Sequence, residues 1–402
     1  MPHVQLSLLG GSSVYERSKR YRSARYDFGN GPGAPAEFFA AALLDHIKPD
    51  RLVILGTSGS MWDVLLETLL PGDAHDALLE ELIDAASADA TSQQQLDRLA
   101  AVLAAQLETE IRLRLIPYGR NSAEQIAILR HMADDIEPGS QVSLDVTHGL
   151  RHLPMLAQMS ALYLRKARQV HIQGIYYGAL DLTRNGITPV MDLKGLLSIA
   201  DWVGALHTFD KDGDYGVFRD LLGTTLGPSA KALEEAAFFE RIMRPGQARG
   251  KLRDFEKSLD RIAADDVASL FEPTLRERID WCHENHLYQR QRSLARSYLA
   301  HGDYLRCAIF AFEAFITRLC QQQGRSNAEN PDIRQKIKKE YEEGVRNAEY
   351  KQYILLRSLR NKLAHGDQAI RGDEQRALAS PDNLRTALSD CLDSLLPAEP
   401  DT

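Results

Sequence analysis

"RLVILGTSGSMWDVLLETLL", residues 51–70, is the stretch on which the fold turns. Residues 51–55 form a short apolar run of strand length. Small residues follow at 56–60, and residues 61–70 then space their apolar side chains as a helix does. Strand, small-residue loop, helix is the repeating unit of a parallel sheet wrapped by helices. The same order recurs on both sides. "VQLSLL" (4–9) alternates and enters "GGSS" (10–13). "IRLRLIP" (111–117) alternates and precedes the helical "SAEQIAILRHMADDI" (122–136). "QVSLDV" (141–146) enters "THGLRHLP" (147–154), and the helical "MLAQMSALYLRKA" (155–167) comes next. "VHIQGIYYG" (170–178) and "ITPVMDL" (187–193) read as a closing pair of strands around Asn185-Gly186. "GNGPGA" (29–34) follows no strand signal and is expected to be a loop.

Strand signals cease from about Leu196. "AKALEEAAFFERIM" (230–243), "LRERIDWCHENHLYQRQRSLARSYLAHG" (275–302), "DYLRCAIFAFEAFITRLCQQQ" (303–323) and "IRQKIKKEYEEGVRNAEYKQYILLRSLRNKLAHG" (333–366) all carry helical spacing between Gly and Pro breaks. The expected fold class is therefore an α/β Rossmann-like domain with a mostly parallel sheet over residues 1–198, followed by an all-α helical domain over residues 199–402.

The chain has 402 residues, of which 44% are hydrophobic and 26% charged, the proportions of a globular protein of two domains. No apolar run approaches the roughly 18 residues of a membrane span. The start, "MPHVQLSLLGG", lacks the basic-then-apolar order of a signal peptide. A cytoplasmic location without membrane contact is expected. Cys282, Cys307, Cys320 and Cys391 form no CxxC pair, which argues against a zinc ribbon or a disulfide framework. "CHENH" (282–286) is the one metal-like cluster; it is not HExxH and reads as helix surface, so no metal ligand is assigned. A net charge of −8 argues against a surface that coats nucleic acid, but leaves room for a local basic site around "RQKIKKEYEEGVRN" (334–347) and "LLRSLRNK" (355–362).

In parallel sheets ligands sit beyond the carboxyl ends of the strands. Three of these ends carry small residues whose backbone N–H groups can approach a phosphate: Gly10, Gly11, Ser12 and Ser13; Thr57, Ser58, Gly59 and Ser60; and Thr147, His148 and Gly149, with Arg151 the nearest cation. Neither GxGxxG nor a P-loop is present in them, which argues against NAD or ordinary ATP hydrolysis. Asp145 is expected to fix the third loop by accepting N–H bonds, and Trp62 to pack in the core. Arg17, Lys19, Arg20, Arg22 and Arg25 form a basic aromatic arm.

"LLGGSSVYE" (8–16), "LGTSGSMWD" (55–63) and "DVTHGLRHLPML" (145–156) together resemble the motifs of CARF domains, found on the ancillary ribonucleases of type III CRISPR defence. "RNKLAH" (360–365) resembles the RxxxxH motif of HEPN ribonucleases, and the order, sensor first and helical nuclease last, is similar too. The resemblance implies a cyclic-oligoadenylate sensor over 1–198 and a HEPN-type nuclease over 199–402. It implies an activator ring, cyclic tetra-adenylate first and the hexa-adenylate next, lying across the two-fold axis of a homodimer or higher symmetric oligomer. It also implies metal-independent cleavage of single-stranded RNA, leaving a 2′,3′-cyclic phosphate and a 5′-hydroxyl, with no further cofactor. The alternative is a CARF-type ligand-sensing regulator whose helical domain is not catalytic. His148 and His152 are the candidates should the sensor cleave its own ring.

The residues at 355–366 suit that chemistry. Leu355, Leu359 and Leu363 fall at four-residue steps, a helical stripe, and Gly366 is a natural helix stop. His365 carries an imidazole, the side chain whose unperturbed pKa of about 6.5 suits proton exchange at neutral pH. Arg360 presents planar donors to phosphate oxygens. Asn361 stands four residues before His365 and is expected to orient its ring. Arg360 stands five before it, about 140° around the helix, so the pair splays within one chain; two copies of the helix meeting across a dimer axis remove the difficulty. Glu313, an acid in the apolar "CAIFAFEAFI", either pairs with Arg360 or forms an ion pair that serves the fold. Plain capping of a helix C-terminus by cations is the structural counterpart for Arg360 and His365.

Overall fold

The computed structural model describes residues 1–11, 22–107, 109–325, 327–344, 346–366 and 372–397. The chain divides into two compact units, Met1–Leu197 and Ser198–Thr402.

Among the described residues the first unit has eight strands: β1 (His3–Leu8), β2 (Ala24–Asp27), β3 (Pro32–Ala36), β4 (Arg51–Gly56), β5 (Glu110–Leu115), β6 (Gln141–Asp145), β7 (His171–Gly178) and β8 (Ile187–Asp192). Its helices are α1 (Phe39–Ile47), α2 (Trp62–Leu69), α3 (Asp76–Ser87), α4 (Gln93–Ala104), α5 (Ser122–Asp134) and α6 (Leu153–Ala167). The strands form one sheet in the order β3-β2-β8-β7-β6-β1-β4-β5. β7, β6, β1, β4 and β5 run parallel. After β1 the chain first forms β2 and β3 at the far edge, then crosses to β4 and β5, and returns to the other side of β1 with β6 and β7. The switch point of the sheet thus lies between β1 and β6, where a crevice opens beyond the strand ends.

β4 shows why the sheet needs helices on both faces. Its side chains alternate: Val53 and Leu55 pack with Ile128 of α5 and Leu153 and Ala157 of α6, whereas Leu52 and Ile54 pack with Trp62 of α2 and Leu96 and Leu99 of α4. Such a strand is apolar throughout because both faces are covered.

"GNGPGA" is not the expected loop. Asp27 Oδ1 accepts from the N–H groups of Gly29 and Gly31 at 2.8 and 3.0 Å, and the chain turns there into β3, antiparallel to β2. The signal was weak because β3 contains Pro32, Gly33 and Pro35, residues that a strand tolerates at a sheet edge, and β3 is that edge. β7 and β8 pair antiparallel, and Asn185 and Gly186 take positive φ at the turn before β8.

In the second unit the described residues form no strand. Its helices are α7 (Gly195–Asp212, crossing the division), α8 (Arg219–Leu226), α9 (Lys231–Arg241), α10 (Pro245–Leu259), α11 (Glu272–Ile279), α12 (Leu287–Ala300), α13 (Tyr304–Gln322), α14 (Pro331–Glu343), α15 (Ala348–His365), α16 (Gly372–Ala377) and α17 (Pro381–Leu395). Two of the long helical stretches are broken. Residues 275–302 split around a single turn at Asp280–His283, and 333–366 split at Gly344, after which Asn347 caps α15 by accepting from the Tyr350 N–H at 2.9 Å. The four cysteines are free thiols, all buried.

Candidate functional site

The carboxyl ends of β1 and β4 are stitched together. Gly11 bridges Ser60, and the Met61 N–H donates to the Gly10 carbonyl at 2.9 Å. A Cβ on Gly11 would stand 3.0 Å from the Gly59 carbonyl oxygen, so this contact requires glycine. Ser12 and Ser13 lie outside the described residues, as do Arg17, Lys19 and Arg20. Arg25 falls within β2 and donates to the Gly33 carbonyl at 3.3 Å.

Thr57 and Ser60, expected to face a ligand, turn inward instead. Thr57 N–H donates to Ser60 Oγ at 2.8 Å, and that hydroxyl donates to the Leu9 carbonyl at 3.1 Å. Their short side chains satisfy the loop's own buried polar groups. Trp62 is fully buried and its indole N–H donates to the Thr57 carbonyl at 2.9 Å. Ser58 and Gly59 are left at the outer side of the loop.

The third loop divides in the same way. Asp145 is buried, and burial pushes its carboxyl up to about 6 even though it accepts from the Thr147 N–H at 2.9 Å. Thr147 Oγ1 accepts from the Gly178 N–H at 2.9 Å and so ties the loop to β7. His148 is buried, and desolvation pulls its imidazole down to about 4. Its Nε2 accepts from the Phe39 N–H at the start of α1 at 3.3 Å, and its ring stacks on Phe38. A neutral acceptor locked under a helix is neither a ligand group nor an acid–base catalyst, which corrects the expectation for His148. Gly149 has φ +102°. Leu150 and Arg151 are exposed on the rim, and Arg151 has no ion-pair partner among the described residues.

A fourth loop joins this edge from β5. Tyr118 and Ser58 both donate to Asp89 Oδ1, from the turn between α3 and α4, and these bonds hold the Asp89 carboxyl below its usual range. Arg120 lies 4.6 Å over the Tyr118 ring. His152 Nε2 sits 2.8 Å from the Tyr118 carbonyl. A cavity of about 310 Å³ opens here, lined by Leu9, Gly11, Gly59, Tyr118, Leu150 and Leu153, with Thr57 and Ser60 also on its wall although their hydroxyls bond to each other and that of Ser60 to the Leu9 carbonyl. A larger cleft of about 740 Å³ lies between the β2–β3 hairpin and α1, but Glu37, Asp45 and Glu67 line it and repel a phosphate.

In the helical unit, α15 ends where expected: Gly366 takes φ +70° and its N–H donates to the Lys362 carbonyl at 2.8 Å. The buried line of α15 is Tyr353, Leu356 and Leu359; Leu355 and Leu363 are only partly covered. Arg360 lies 5.2 Å over the Phe312 ring, and its Nη1 donates to Asn361 Oδ1 at 2.8 Å. Asn361 therefore orients Arg360, not His365 as expected. His365 is exposed, with no partner among the described residues. Glu313 does not meet Arg360. Arg334 of α14 holds it at 2.6 Å and also donates to the Glu313 and Ala328 carbonyls and to Thr317 Oγ1, so this acid ties α13 to α14. Geometry takes Glu313 out of the catalytic set.

"CHENH" is a turn over a buried thiol rather than a helix surface. Cys282, pushed up to about 11 chiefly by burial, lies with His283 and Glu256 so that their donor atoms are within 4.8 Å of one another. His283 Nδ1 stands 2.8 Å from Arg253 Nη1, so a guanidinium already supplies the positive charge there.

The family model for the CARF domain of the CRISPR system endoribonuclease Csx1 matches residues 7–181, the span that holds all four loops. This unit is a CARF domain. The chain is 24% identical to CRISPR-associated protein MJ1674 of Methanocaldococcus jannaschii over 93% of its own length, and it spans 64% of that protein. It also aligns with Enterococcus italicus Csm6 bound to cyclic hexa-2′-fluoro-hexa-dAMP over 98% of this chain and 94% of that one, at 13% identity and TM-score 0.36, a likeness too distant to carry a conclusion. The chain thus carries a CARF domain and is similar to a CRISPR-associated protein.

The sequence reading of the CARF domain missed Tyr118, Arg120 and Asp89. "PYGR" (117–120) follows β5 just as "GTSGS" follows β4, and Gly119, at φ +79° with His152 Nε2 2.8 Å from where its Cβ would stand, marks the close approach. Asp89 carries no local signal: only the fold brings it over Gly59.

Proposed function

We propose that the chain is a cyclic-oligoadenylate-activated, metal-independent endoribonuclease for single-stranded RNA, working as a homodimer in type III CRISPR defence. The observation that carries this reading is the end of α15, where Arg360 and His365 stand without carboxylate partners among the described residues, in a chain whose other unit is a CARF domain.

RNA supplies its own nucleophile. The 2′-oxygen attacks the adjacent phosphorus and gives its proton to a base. The P–O5′ bond breaks, and the 5′-oxygen takes a proton. The products are a 2′,3′-cyclic phosphate and a 5′-hydroxyl, and no metal-bound water is required. His365 exchanges these protons. Arg360, pre-set by Phe312 and Asn361, stabilises charge on the phosphoryl oxygens. The two are about 140° apart on one helix, so a pair of α15 ends from two copies completes the site. In the sensor, Arg151 and the Gly11, Ser58–Gly59 and Gly149 backbones receive the phosphates of the ring, and the Leu150–Leu153 cavity receives a base.

The test is a fluorescent RNA reporter incubated with cyclic tri-, tetra- and hexa-adenylates. Cleavage only with a ring, unaffected by EDTA and abolished in H365A, is expected. Strict dependence on added metal, or full activity in H365A, refutes the mechanism. Ring binding without any cleavage leaves the ligand-sensing regulator.

A further inference from the structure

Three helices bring two cations to one ring. Arg360 of α15 lies 5.2 Å and Lys338 of α14 lies 5.8 Å from the centroid of Phe312 on α13. Phe312 is only 5% exposed, so it is a packed anchor and not a platform for a base.

The ion pairs around these cations make the arrangement informative. On α14, Lys336 meets Glu340 and Lys339 meets Glu343, each four residues on. The equivalent partner for Lys338 is Glu342, but Glu342 accepts from Arg357 at 2.6 Å and from the Tyr353 hydroxyl at 2.7 Å. Arg360 therefore forms no ion pair with a carboxylate among the described residues, and Lys338 has only the more distant field of Glu342, whose close contact is taken by Arg357. Their heads cannot be farther apart than the two ring distances laid end to end, ~11 Å. Two like charges around one ring, neither held in an ion pair among the described residues, repel weakly in the empty protein, and an anion between or along them reverses the sign.

We propose that Lys338 is a second phosphate-binding cation on the RNA path, beside Arg360, and that Phe312 positions both. The chemical class it takes is a phosphodiester of the strand being cut, one that neighbours the scissile linkage. This rests on the ribonuclease reading, and the experiment separates the two. Lysine here acts as a point charge on phosphate and carries no base preference.

The test uses the full chain carrying H365A, so that RNA persists, and measures anisotropy of a labelled single-stranded RNA across salt concentration. Adding K338Q is expected to weaken binding several-fold at low salt and to make the slope of log K against log salt shallower by about 0.7, the increment for one phosphate contact on a single strand. K338R is expected to restore the slope, and K336Q, on the same helix, to leave it unchanged. An unaltered slope in K338Q, or an equal change in K336Q, overturns the proposal. Cleavage by the His365-intact chain is scored separately: an altered slope with no ring-dependent cleavage keeps Lys338 as an RNA contact and removes the nuclease reading.

Discussion

Glu240 offers the most quantitative test of the helical unit. It is fully enclosed, and burial pushes its carboxyl up to about 7. Tyr298 donates to its Oε1, while Oε2 has no hydrogen-bond partner. The groups facing it are Tyr298 of α12, Tyr215 (held by the Trp281 indole at 2.7 Å), Arg306 of α13 and its own neighbour Arg241. The cations are not close enough to offset desolvation. A carboxyl raised in the folded state and near 4.5 when unfolded binds a proton more tightly folded. Folding stability therefore falls as pH climbs from about 4.5 to about 7 and is level above that. The shift corresponds to about 3 kcal/mol, since each unit is worth about 1.4 kcal/mol. E240Q keeps an acceptor for Tyr298 and cannot ionise. Scanning calorimetry of the full chain between pH 5 and 8 is the assay. The variant and the parent are expected to be close at pH 5, with the variant gaining up to about 3 kcal/mol in the helical unit's transition by pH 8. Parallel profiles across that window would refute the argument, because they would mean that Glu240 does not titrate there.

Further expectations concern both units. R151A should weaken ring binding and raise the activator concentration for half-maximal cleavage about tenfold while leaving the maximal rate alone; a fall in the maximal rate at saturating ring would assign Arg151 another role. E313Q should lower stability by about 1 kcal/mol through the Arg334 contact, discounted because both groups are partly exposed, yet retain ring-activated cleavage below the transition; loss of cleavage in a folded E313Q would return this acid to the catalytic set. G56A should destabilise the sensor by about 1–3 kcal/mol, because its Cβ would stand 2.6 Å from Trp62 Cζ2, and denaturant midpoints would show otherwise if the loop can yield.

What residues 51–70 and their counterparts could determine by themselves was local. Period-two and period-3.6 apolar spacing distinguishes strands from helices, although it misplaced the buried line of α15, and glycine at 366 marks the end of that helix. Hence the parallel sheet, the helical second half and the small-residue loops were all legible. The edge hairpin at β3 was not, since proline and glycine suppress strand signals that only a partner strand supplies. The fate of polar groups was decided by tertiary structure alone. Ser60 and His148 carry ligand-like chemistry but are spent on the Leu9 carbonyl and the Phe39 N–H, backbone groups of other segments, at 3.1 and 3.3 Å, while the Thr57 hydroxyl lies 3.2 Å from Ser60 Oγ. Glu313 meets Arg334, Asp89 reaches over Gly59, and Lys338 and Arg360 both reach the Phe312 ring because separate segments pack together. A hydrogen bond or ion pair is set by which donor lies within about 3 Å, and periodicity along one segment contains no information about what a different segment brings there.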